Sequence, residues 1–109
     1  MAATLQHNIT TVLTKNLLTV GDNVSNVKYI SIANIDSSRA AIINLFLNKG
    51  ANDYYLMKNY RLNFGETLFL NKDNNIAFDN STTGFSLRTQ VQSDNGAAVS
   101  VDVVIKRGL

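Results

Sequence analysis

Few side chains in this sequence could do chemistry near neutral pH. Of 109 residues one is histidine, His7, and none is cysteine. A nucleophile–base pair or a zinc site needs at least two such groups, so most of those centres cannot be built. His7 falls in residues 1–8, which read as a loose N-terminal arm, and an exposed, inactive imidazole is expected there. The carboxylates are Asp22, Asp36, Asp53, Glu66, Asp73, Asp79, Asp94 and Asp102. A pair of them could serve glycoside hydrolysis. All but Asp102, however, sit in turn-like segments, where a short carboxylate bonds its own backbone. Asn71-Lys72-Asp73-Asn74-Asn75 alternates oxygen ligands as a calcium loop does, but Ile76 replaces the required glycine and Thr82 the closing glutamate. The sequons Asn8-Ile9-Thr10 and Asn80-Ser81-Thr82 are expected by chance in a chain with fifteen asparagines. No glycine loop for phosphate is present. The reading is of a protein without catalysis, cofactor or metal.

The aromatic residues offer contact in place of catalysis. Tyr54, Tyr55 and Tyr60 cluster in sequence with Phe46, Phe64 and Phe69. On an alternating strand Phe46 shares a face with Asn44 and Asn48, and Phe69 falls opposite Leu68 and Leu70. Tyr54 and Tyr55 are adjacent, so one of them faces outward. Outward rings on a polar face mark an interface, which makes Phe46, Tyr54, Tyr55, Tyr60 and Phe69 the candidate contact residues. The competing expectation is that these rings fill the ends of the core.

The elements that position them follow from a period of two, broken by Asn/Asp/Gly/Ser clusters. Val99, Val101, Val103 and Ile105 share one strand face, and Phe85, Leu87, Thr89 and Val91 another. Between them Ser93-Asp94-Asn95-Gly96 predicts a hairpin turn, because Asn-Gly supplies the positive φ values such a turn requires. Residues 27–34 predict a strand with Ile30 and Ile32 inward, and residues 40–48 a strand with Ile43, Leu45 and Leu47 inward. Shorter strands are expected at 54–57, at 60–63 as a continuation or a new strand, at 67–71 and at 76–78. Residues 9–15 and 17–20 read as edge strands, with a short helix over 6–18 as the alternative. The fold class is therefore all-β: a single small antiparallel β-sandwich over 1–109, Ig-like or jelly-roll-like, with seven to nine short strands. Residues 1–20 serve as a docking arm or edge strands.

Composition agrees. The chain is 45% hydrophobic and 17% charged with net charge +2, as an ordinary globular domain is. Its ten basic residues are dispersed, and only Lys106 and Arg107 adjoin, so specific nucleic-acid binding is not expected. No stretch approaches the ~18 apolar residues of a membrane span, and the N-terminus lacks the pattern of a signal peptide.

From Val27 onward the strand and turn order resembles the small β-sandwich virion proteins of tailed bacteriophages. The resemblance is carried by Tyr29-Ile30-Ser31-Ile32-Ala33-Asn34, Ala41-Ile42-Ile43-Asn44-Leu45-Phe46-Leu47, Tyr55-Leu56-Met57-Lys58-Asn59-Tyr60-Arg61-Leu62, Gly65-Glu66-Thr67-Leu68-Phe69-Leu70, Asn75-Ile76-Ala77-Phe78 and the closing strands. It implies a non-enzymatic structural part of a virion, made in the host cytoplasm. Such a part decorates the capsid or sits in the neck, tail or fibre, in many copies bound to other virion proteins and to itself. A carbohydrate-binding module, with Tyr54, Tyr55 and Tyr60 stacking on sugar rings, is the alternative from another class. A small glycosidase-like enzyme is a third.

Overall fold

Where apolar and polar residues alternate, the chain is extended and every second side chain is buried. The computed structural model describes residues 4–22, 24, 27–71, 73, 76 and 78–107. Its strands are β1 (Thr4–Ile9), β2 (Lys15–Leu18), β3 (Val27–Asn34), β4 (Ala41–Lys49), β5 (Asn52–Leu62), β6 (Thr67–Asn71), β7 (Ser86–Gln92) and β8 (Val101–Arg107). They form two antiparallel four-stranded sheets, the first in the order β1-β8-β3-β6 and the second β2-β7-β4-β5. Ile30, Ile32, Val101, Val103 and Ile105 of the first sheet bury against Ile43, Leu45, Leu87 and Val91 of the second in one apolar core. At roughly 25 cal/mol per Å² of apolar surface removed from water, such a core is the main stabilising term.

Consecutive strands change sheet at every step except β4 to β5. Eight strands wound in this order make a jelly roll rather than an Ig-like sandwich. The one hairpin among the described residues, β4–β5, closes with Lys49 opposite Asn52 around Gly50, whose φ of +63° is the left-handed value such a turn needs.

Four expectations are corrected. First, Phe85 to Gln92 and the segment from Val99 do not form a hairpin. Gly96, at φ +83°, does close a turn onto Ser93, with Gly96 N donating to Ser93 O at 3.0 Å. But β7 lies in the second sheet and β8 in the first, and residues 97–100 carry the chain across. Each strand has one apolar face, and facing each other through the core buries both faces as well as lying side by side would. Second, Thr4–Ile9 is no loose arm: it pairs with β8, Leu5 opposite Ile105 and Ile9 opposite Val101. Residues 10–14 are the bend between β1 and β2 rather than a strand, and neither a helix over 6–18 nor a long arm exists there. Third, the strand expected at 54–57 is longer than four residues: it runs over Asn52–Leu62 as β5, with 60–62 as its continuation, one of the two alternatives, and it absorbs two extra residues as bulges. Fourth, Ile76 and Phe78 are not in a strand, and Ala77 lies outside the described residues, as do Lys72, Asn74 and Asn75 of the calcium-like run.

Two buried asparagines tie the crossings together. Asn34 Nδ2 donates to Arg39 O and Leu62 O (2.9 and 3.0 Å), and its Oδ1 accepts from Asp36 N at 3.0 Å. Asn80 Nδ2 donates to Thr19 O and Phe85 O (2.9 and 2.8 Å), and its Oδ1 accepts from Val24 N at 3.0 Å. A buried amide is tolerated only when its polar atoms are paired in this way.

Candidate docking surface

Among the described residues β5 is the longest strand and stands at the edge of its sheet, with β4 as its only neighbour. Every residue of it from Asn52 to Arg61 is exposed except Met57, which is half-buried. Tyr54, Tyr55, Leu56 and Tyr60 therefore line one open strand edge. Its irregular path has a local cause. Leu45 faces Met57 while the adjacent Phe46 faces Tyr55, so Leu56 is an inserted residue. Between Met57 and Tyr60 a second residue is inserted, where Asn59 takes φ +55° and its N–H is held by Asn44 Oδ1 at 2.9 Å. Asparagine is among the few side chains that adopt this left-handed conformation readily.

The register sorts the candidate contact residues. Tyr55 pairs with Phe46 on the outer face of the second sheet, their ring centroids 5.0 Å apart. Phe46 is on the predicted face but only 5% exposed, so it is the floor beneath Tyr55 rather than a contact residue in its own right. Lys58 Nζ lies 4.9 Å from the Tyr55 centroid. Tyr54 pairs with Leu47 on the inward side, meets Phe85 edge-on at 5.9 Å and remains exposed. Tyr60 pairs with Ile43 on the same side but remains exposed at the rim. Phe69 is not part of this group: it lies on the outer face of the first sheet opposite Ser31, 53% exposed, with its centroid 5.0 Å from Tyr29. The structure thus brings Phe46, Tyr54, Tyr55 and Tyr60 together on the β4–β5 hairpin and leaves Phe69 on the other sheet.

Around the rings the polar groups are engaged at the surface. Asp53 accepts from Asn48 Nδ2 at 2.7 Å, and Arg61 pairs with Asp94, whose hydrogen bond raises the guanidinium pKa further.

His7 and most of the carboxylates have structural duties. His7 is half-buried on the inward side of β1, opposite Val103, and its Nε2 meets Leu17 O at 3.0 Å, joining the edges of the two sheets. That corrects the expectation of a free arm histidine. Asp22 accepts from Thr19 N, Glu66 from Asn63 N and Asp102 from Asn8 Nδ2. Asp36 accepts the backbone N–H groups of Ser38 and Arg39, which hold its carboxyl below the usual value, with the Arg39 guanidinium adding to the effect. Asp79 is lowered likewise by the hydroxyl and N–H of Ser81. Among the described residues no three His, Asp or Glu side chains are grouped to hold a metal ion. No helix of the described residues is long and apolar enough to cross a membrane.

Residue spacing missed Asn34 and Asn80. For Asn34 a signal existed: it continues the inward phase of Ile30 and Ile32, an unusual place for an amide. Asn80, in an irregular loop, has no such phase.

No protein-family model matches the sequence, and no curated protein matches it either. Solved structures do share the fold. PirA matches at 10% identity and a TM-score of 0.53, over 98% of this chain and 95% of that one. A chain in the capsid structure of Helicobacter pylori bacteriophage KHP30 matches at 14% identity and a TM-score of 0.50, over 94% of this chain and 82% of that one. The SPBc2 prophage-derived protein YomS matches at 12% identity and a TM-score of 0.46, over 96% of each chain. At these identities the likeness is one of fold alone, and it rests on PirA and the KHP30 chain.

Proposed function

We propose that this chain is a non-enzymatic structural protein of a virion, a capsid decoration or auxiliary protein of a tailed phage. It binds other virion proteins and is present in many copies. The observation that carries this reading is β5, a long, open, tyrosine-lined edge on a two-sheet scaffold. Tyrosine-rich surface is characteristic of protein contacts, and repeating a weak contact over a symmetric shell supplies avidity. The fold shared with the KHP30 capsid chain supports this kind of assembly. The carboxylates of Asp22, Asp36, Glu66 and Asp79 accept backbone N–H groups, which supports a role without catalysis. Neck, tail and fibre positions are alternative places for the same surface.

The test is density-gradient sedimentation of purified virions, with the chain quantified by mass spectrometry. Copies in fixed proportion to the major capsid protein are expected. Absence from intact particles would overturn the reading.

A carbohydrate-binding module is the second reading, favoured by the exposure of Tyr54, Tyr55 and Tyr60 on one strand. Tyr55, though, already carries Lys58 against its ring and Phe46 beside it. A glycan array without hits is the expected outcome.

A further inference from the structure

We propose that two copies of this chain join through β5, edge to edge and antiparallel, about a two-fold axis at Met57. The second sheets of the two copies would then run on as one eight-stranded sheet. This rests on the geometry of the edge and not on a virion role, so the two can fail separately.

Among the described residues no strand pairs with the outer edge of β5, and such an edge is a template for another. What specifies a second copy as the occupant is the order of residues along it. Laid antiparallel on itself about Met57, β5 sets Asp53 against Arg61, Tyr54 against Tyr60, Tyr55 against Asn59 and Leu56 against Lys58. Opposite charges meet twice in each dimer, once at each end of the contact, and no like charges are set opposite each other.

The faces agree as well. Asp53 and Arg61 both lie on the outer face, as their partners Asn48 and Ile42 show. Tyr54, Met57 and Tyr60 all lie on the inward side, beside Leu47, Leu45 and Ile43. Asp53 and Arg61, Tyr54 and Tyr60, and the two Met57 side chains can therefore meet without changing face. Asp53 and Arg61 are now bound to Asn48 and Asp94, but these links are exposed, and exposed links exchange at little cost.

The bulges sharpen the choice. A bulged edge discourages pairing with an ordinary strand, because inserted residues throw the register off. In β5 the insertions flank Met57, Leu56 on one side and Lys58 or Asn59 on the other. A second copy turned about Met57 places insertion against insertion, so the chain lengths between the paired ends match. A straight foreign strand brings no such match. An isologous contact of this kind closes on itself and stops at a dimer.

The test is sedimentation velocity of the full chain over a wide concentration range, where a concentration-dependent dimer is expected. Arg61→Asp sets carboxylate against carboxylate and should weaken association by roughly tenfold or more. Asp53→Arg should do the same, and the two substitutions together should restore the dimer. Asp94→Asn, which removes the present partner of Arg61, should leave association intact. Because the chain has no cysteine, Met57→Cys gives a second readout: mild oxidation should yield a covalent dimer, since residues on the axis are close enough for a disulfide. A wild-type chain that stays monomeric overturns the proposal, and that is the result expected if β5 instead receives a strand of another protein. A dimer indifferent to both charge reversals, or not rescued by the exchange, overturns it equally.

Discussion

The two edges of the second sheet are built in opposite ways. β2 is four residues long, begins with Lys15, and slips register between Asn16 and Leu18. Leu17 and Leu18 are both buried, His7 meets the Leu17 carbonyl, and Arg88 Nε reaches Asn16 Oδ1 at 2.6 Å. β5 is eleven residues long, exposed along almost its whole length, and lined with tyrosines. Shortness, a lysine and a bulge are the usual devices for blunting an edge. β2 has all of them; β5 has a lysine, Lys58, and two bulges, but not the shortness. The edges differ in length and exposure: four residues with two buried leucines against eleven residues that are almost all exposed.

Both edges are nevertheless held by the same device at their C-terminal ends, a buried asparagine that takes the carbonyl of Thr19 after β2 and of Leu62 in β5. The largest expected effects come from removing it. Asn80→Ala leaves Val24 N–H and the Thr19 and Phe85 carbonyls without their partner, and Asn34→Ala does the same for Asp36 N–H and the Arg39 and Leu62 carbonyls. Each should cost about 3 kcal/mol in urea unfolding, given the penalty for unpaired buried groups. Hydrogen exchange then separates the edges: Asn34→Ala should speed exchange at the end of β5 and spare β2, and Asn80→Ala the reverse. Uniform acceleration in both would mean that the two ends are not held separately.

Gly84 supports the Asn80 loop from the other side. A Cβ there would lie 2.1 Å from the Asp79 carbonyl oxygen, which itself accepts Phe85 N–H at 2.7 Å. Gly84→Ala should destabilise by about 2 kcal/mol through forced displacement of that backbone, read from the same unfolding curves. On the open edge, Tyr55→Ala uncovers Phe46 and should cost about 1 kcal/mol, the scale of one aromatic pair. Tyr55→Phe should be nearly neutral. A larger loss for Tyr55→Ala would make the ring a structural part of the sheet rather than surface kept for a partner.

The smallest effect is on acid stability. Asp36 and Asp79 have pKa values lowered in the folded chain, so they bind protons less readily there than in the unfolded chain. Their contribution is complete above the ordinary carboxyl value of 3.8 and is lost as pH falls through the folded values. Asp36→Asn and Asp79→Asn should therefore weaken the protein at neutral pH and flatten the fall in its urea midpoint below pH 3.8. An unchanged slope would show that acid unfolding starts elsewhere.

Much of this fold was legible residue by residue. The phase of Ile30 and Ile32, of Ile43 and Leu45, of Leu87, Thr89 and Val91, and of Val101, Val103 and Ile105 named the buried face of β3, β4, β7 and β8, and all of these side chains are buried. The same phase put Phe46 outward and required one of Tyr54 and Tyr55 to face outward, but it could not say which, nor that the ring would cover Phe46. That depended on the bulge at Leu56, which sets Tyr55 opposite Phe46.

β1 was missed because its inward row is Leu5, His7 and Ile9, and a histidine in the middle breaks the apolar signal that marks a strand. By itself, then, the order of residues determined which side chains leave water, since a period of two assigns each to one face or the other. Which strand lies across the core and which lies alongside was decided only in the tertiary structure. Apolar burial has no direction, and Leu87 is satisfied equally by a neighbour in its own sheet or by one from the sheet opposite.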